Sequence, residues 1–80
     1  VLDCGAIVAN FLLASHALGI ASIAQAALAV RAPTLREFCN IPEDEVVVCG
    51  VSLGFENRAA PANQFRTPRA DIAAVVRVLG

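Results

Sequence analysis

The chain has no lysine, no tryptophan and no tyrosine, and from Gly5 through Val30 it carries no charged side chain at all. Each absence excludes something. Six basic residues, all arginines spread from Arg31 to Arg77, and a formal net charge of −1 leave no basic footprint for nucleic acid. Without tryptophan or tyrosine, nothing marks a membrane–water interface. The single histidine, His16, cannot complete a zinc set with Cys4, Cys39 and Cys49, none of which stands in a C-x-x-C pair, so no metal site is expected. The three thiols are expected to be reduced and partly buried, in a cytoplasmic protein. No basic region precedes the apolar stretch; Asp3 stands there instead, against a signal peptide. The first residue is Val1 rather than methionine, which makes an internal start the expectation.

What is present is apolar. Hydrophobic residues make up 58% of the 80 positions, against a usual share of about 45–50%. A chain this short buries only about 60% of the surface its unfolded form exposes. The uncharged stretch therefore needs cover from outside: a bilayer, a second subunit, or the rest of a larger protein. A bilayer span takes about 20 apolar residues. Here Asn10, His16 and Gln25 would lie at depth and Gly19 would interrupt the run, which favours two packed elements outside a membrane.

Residues 3–18 read as a helix, with Asp3 as its N-cap and Gly19 ready to take the left-handed conformation that ends it. It is apolar nearly all round, the mark of a buried helix. Residues 20–25 read as a connector or strand, and 25–30 as a second helical piece. Thr34 and Glu37 stand three apart, as in a capping box, and predict a helix over 35–40. Pro42 forbids its continuation. Glu45 to Gly54 is almost continuously apolar and β-favouring, which predicts a central strand covered on both faces. Residues 55–69, with Pro61 and Pro68, read as a long loop. Asp71 is placed to cap a last helix over 72–79.

Two candidates follow from the residues alone. His16 has no orienting partner in the sequence and reads as a structural residue in the last turn of its helix, where the dipole favours a cation. Arg66 and Arg69 flank a rigid proline just ahead of the last helix. Two forked cations beside free helix amides suit a phosphate. The alternative is a solvated basic turn pairing with Asp71 or Glu45.

Five segments stand in a recognisable order. Asn10-Phe11-Leu12-Leu13-Ala14-Ser15-His16-Ala17-Leu18-Gly19-Ile20 is similar to the central helix of the FMN-dependent nitroreductase family, N-x-L-L-A-A-x-A-L-G-L. Ala21-Ser22-Ile23-Ala24-Gln25 resembles the segment that passes over one face of the flavin, with Ala24 where many relatives have proline. Leu35 to Glu45 resembles its L-R-E-x-L-x-I-P-E-D turn, Val46 to Gly54 its core strand, and Asn63-x-x-Arg66-Thr67-Pro68-Arg69 its N-x-x-R-T-P-R phosphate segment.

The resemblance implies an α+β fold, with residues 1–80 as the C-terminal part of a single nitroreductase-like domain. That part would be mostly helical with one core strand, inside a three-layer sandwich. It implies FMN as cofactor and NADH or NADPH as electron donor, with nitroaromatics, quinones or similar acceptors reduced in a ping-pong cycle. Ser22, Ile23, Ala24 and Gln25 would lie against the flavin ring, Asn63 would brace the arginine loop, and Arg66 and Arg69 would hold the phosphate. No catalytic acid or base is implied. The partners implied are a second copy, docked through the 3–18 helix, and the N-terminal part of the same protein, which carries an R-S-x-R-type motif. A small non-catalytic module that dimerises through the same helix is the other reading that the composition leaves open.

Overall fold

A 16-residue helix, α1 (Leu2–Ala17), opens the chain and turns directly into a strand. The structure, a computed structural model, describes residues 1–80. The helix starts one residue before the expected cap. Val1 holds the N-cap position, and Asp3 sits in the first turn without a capping hydrogen bond. There its negative charge still faces the positive end of the helix dipole.

The other end behaves as expected. Gly19 has φ 75°, Gly19 N donates to His16 O at 3.0 Å, and Ile20 N donates to Ser15 O at 2.9 Å. These are the two bonds of a Schellman turn, and a left-handed residue between them is what glycine supplies at least cost. The turn folds back over Ser15, the one buried residue of the chain.

Strand β1 (Ala21–Gln25) follows at once, and pairs antiparallel with β2 (Gly50–Gly54). The register sets Ala21 opposite Gly54 and Gln25 opposite Gly50. The fold is α+β, as expected, but the sheet has two strands, and β1 is the segment left open between connector and strand. The predicted strand from Glu45 begins only at Gly50. The reason is its partner: β1 stops at Gln25, where the chain tightens into a 3-10 segment, Ala26–Arg31, so Val46 to Cys49 have no strand beside them. Nor is β2 covered on both faces; its last three residues are exposed. Helix α1 packs against β1, and the 3-10 segment packs against β2.

Helix α2 (Ala32–Cys39) begins three residues earlier than the sequence pattern predicts. Pro33 lies in its first turn, where a missing N–H costs nothing. Thr34 is thereby inside the helix, and the predicted capping box does not form. The helix ends on Asn40 at φ 54°. The Arg36 guanidinium then donates to Pro42 O at 2.8 Å and to Glu45 O at 2.6 Å, stapling the turn that follows. Beyond β2 the chain makes one 3-10 turn, Pro61–Asn63, and a single helical turn, α3 (Ile72–Val75), shorter than the expected 72–79. Asp71 stands at its N-cap position without a side-chain bond.

The interior is nearly absent. No hydrophobic residue is buried, and Leu13, Phe38 and Phe55 are 69%, 87% and 89% exposed. Accessible surface is 7305 Å², where a compact chain of this mass shows about 4,600 Å². The radius of gyration is 16.4 Å, against about 12 Å for a compact domain of this length. The apolar α1 is not wrapped by its own chain. No helix is long and apolar enough to cross a membrane. Cys4 and Cys39 are exposed rather than partly buried, and only Cys49 is half-covered.

Candidate functional site

The C-terminal half of α1, the β1–β2 ribbon and the loop after β2 enclose an open cleft of about 630 Å³. Leu12 and His16, four apart and so on one face of the helix, form one side. The Schellman turn swings β1 alongside, so that Ser22 and Ile23 enter the wall. The antiparallel register then sets Leu53 and Ser52 opposite them.

The loop beyond β2 supplies the polar end, and it is built largely from its own hydrogen bonds. Asn57 Oδ1 accepts from Ala59 N at 3.1 Å, a side chain imitating a backbone turn. Half-buried Asn63 donates from Nδ2 to Asn57 O at 2.8 Å. Arg66 closes the loop: Nη1 donates to Asn63 O at 3.3 Å and Phe65 O at 3.2 Å, and Nη2 to Glu56 Oε1 at 3.1 Å. Glu56 Oε2 lies 3.8 Å from Arg58 Nε.

Five of the residues singled out from sequence thus meet around one cleft: His16, Ser22, Ile23, Asn63 and Arg66. The other three stand outside its lining. Ala24 faces none of it, Gln25 accepts through Oε1 from Ser52 Oγ at 2.8 Å, and Arg69 folds back on Thr67, donating to Oγ1 at 2.9 Å and to the carbonyl at 3.2 Å. Neither Asp71 nor Glu45 pairs with Arg66; the carboxylate that does is Glu56. The helix N-terminus expected to help hold an anion is one turn long, so its dipole is slight. Glu56 and Asn57 do not stand out in the sequence. The hint was available: an acid two residues from Arg58, placed after a strand ending in Gly54.

Similarity to known proteins fits this layout. The chain belongs to the nitroreductase family, whose sequence model matches residues 1–55, through α1, both strands and α2. The match ends before the arginine loop. The chain is 35% identical over 68 residues to a 4-nitrobenzoate reductase of Nocardioides sp. (strain LMS-CY), covering 85% of the chain and 28% of that protein. It is 31% identical over 68 residues to a nitrobenzene nitroreductase of Ectopseudomonas oleovorans and to a chloronitrobenzene nitroreductase of Comamonas testosteroni, covering 85% of the chain and 30% of each relative. The chain therefore spans less than a third of the length of these relatives. No solved structure matches it significantly.

Proposed function

We propose that these 80 residues are the C-terminal part of an FMN-dependent oxidoreductase of the nitroreductase family. The single observation that carries the reading is the cleft that joins Ser22 and Ile23 of β1 to Asn63 and Arg66 of the loop. The family assignment and the relatives' names, all reductases of nitroaromatic compounds, support it.

The donor set suits a flavin mononucleotide. One wall, with Leu12, Ile20, Ile23 and Leu53, is uncharged and suits an aromatic ring; the far end offers a guanidinium for a phosphate. Arg66 is 75% exposed along its side chain and spends two terminal nitrogens on three acceptors. Its fork retains further N–H groups for an incoming anion. In this reading Ser22 and Ile23 form the ring wall, and Ala24 and Gln25, outside the lining of the cleft, reach the ring only through backbone groups. Asn63 holds the loop in shape, and Arg66 and Arg69 take the phosphate, Arg69 after releasing Thr67. Bound there, FMN would supply the two-electron chemistry by which NADH or NADPH reduces a nitroaromatic, a quinone or a similar acceptor in a ping-pong cycle. The chain's own part is to orient, neutralise charge and exclude water; no residue here is assigned as acid, base or nucleophile.

Two partners complete the site in this reading. A second copy meets α1, the longest exposed apolar element, and an N-terminal part of the protein covers the sheet and adds phosphate contacts. An interface of the obligate kind resembles a domain core cut in two, which the bare α1 matches. The test is Arg69→Ala in the protein assembled as a dimer. The FMN dissociation constant should rise about tenfold, the scale of losing a charge-assisted hydrogen bond, with turnover of the flavin-loaded fraction little changed. An unchanged FMN constant removes the phosphate assignment.

A further inference from the structure

One charged group in the cleft is unused by that reading. Glu56 directly follows the strand–loop junction, and its side chain is 30% exposed, where its two partners Arg66 and Arg58 are 75% and 91% exposed. It is the sole carboxylate lining the cleft, and Arg66 is the sole guanidinium. The two are joined at 3.1 Å. The cleft thus carries its own counter-ion.

A phosphate monoester carries a charge of about −1.5 to −2 near neutral pH. It needs the donors that Glu56 already uses, and it meets a carboxylate of its own sign beside them. We propose that Glu56 competes with a phosphate-bearing ligand for Arg66, and so sets how strongly this cleft prefers the phosphorylated form of its ligand to the unphosphorylated one. The inference deepens the flavin reading and rests on it.

Competition outweighs positioning for a geometric reason. Arg66 keeps two other acceptors, Asn63 O and Phe65 O, through Nη1. Removing the carboxylate leaves the guanidinium anchored to the loop backbone. An ion pair this exposed also contributes little to holding the loop. Its charge, however, acts on any anion placed at Arg66. A unit charge about 6 Å from a dianion in water-like dielectric changes affinity about tenfold, and salt reduces that. The consequence is a cleft that resists stray anions and lets a phosphorylated cofactor exchange.

The test is Glu56→Gln, which keeps shape and removes charge, made in the full-length protein in its native oligomeric state. Dissociation constants for FMN and for riboflavin are measured by flavin fluorescence quenching at low and at physiological salt. FMN should bind about three- to tenfold more tightly than to the wild type, riboflavin should be unchanged, and the FMN gain should shrink as salt rises. Adding Arg66→Gln to the same variant should abolish the gain. Riboflavin affinity serves as the control for a misfolded variant. An FMN constant that is unchanged or weaker, or an equal shift for both flavins, overturns the role of Glu56 while leaving the flavin reading intact. A wild-type protein that binds neither flavin overturns both.

Discussion

The 80 residues expressed by themselves should not form a folded monomer. The structure gives the size of the deficit. The chain exposes 7305 Å², about 2,700 Å² more than a compact chain of its mass. With a bit over half of that surface apolar, as on ordinary protein exteriors, the missing burial is about 1,500 Å² of apolar area. At about 25 cal/mol per Å² that is about 35–40 kcal/mol. Even half that amount exceeds the 5–15 kcal/mol by which whole domains are stable. Counted over both partners the deficit corresponds to about 5,000 Å² of interface, the scale of obligate assemblies. The assay is amide hydrogen exchange on the isolated chain, with sedimentation velocity and an FMN titration alongside. Amides of Ala21–Gln25 and Gly50–Gly54 should exchange without measurable protection, the chain should sediment as aggregate or as a broad distribution, and FMN should not bind. A sharp monomer peak with protected strand amides and a cooperative denaturant transition would refute the reasoning outright.

Three further outcomes are expected of the protein in its assembled form, each read by urea denaturation. Gly19→Ala places a Cβ at φ 75°, where nothing crowds it but the backbone itself is strained, and should cost about 1–2 kcal/mol; Gly19→Asn should cost less. Gly50→Val drives a side chain into Leu28, whose Cγ lies 3.3 Å from the Cβ position, and should cost about 1–3 kcal/mol, with part regained in the Leu28→Ala background because the two sites share one gap. Arg36→Ala removes both donors to Pro42 O and Glu45 O and should cost about 1–2 kcal/mol; Arg36→Lys should not restore it, since a single ammonium cannot reproduce the fork.

Local chemistry was legible where one residue decides it. Gly19 reads as a helix stop because only a residue free of a Cβ adopts that turn cheaply, and the turn is there. Pro42 reads as a barrier, and α2 ends before it. Signals that depend on a neighbour do not carry through to the structure. The apolar run from Val46 has the composition of a strand, yet a strand exists only where another lies beside it, and β1 reaches no further than Gln25. Thr34 and Glu37 have capping-box spacing, but Pro33 offers an earlier start and the helix takes it. Ile72 to Leu79 has helical spacing and forms only one turn; a short amphipathic segment with nothing to pack on gains too little to pass nucleation.

The site divides the same way. Arg66 stood out by type and by its proline neighbour, and it reaches the cleft. Arg69 stood out equally and turns to Thr67 instead. Glu56 did not stand out, because a single carboxylate after a strand says nothing until the loop curls it against Arg66.

The sequence alone carries the demand for cover: an unbroken apolar stretch and few charges make more apolar surface than a chain of 80 residues readily hides. It also determined the family, through motifs whose order survives in the linear text. Only the tertiary structure decided which residues meet. Ser22 and Arg66 are far apart along the chain, and their meeting depends on an antiparallel register and on a loop folded by Asn57 and Asn63. Such pairings are set by the sum of many weak contacts between distant segments, and no single segment records them.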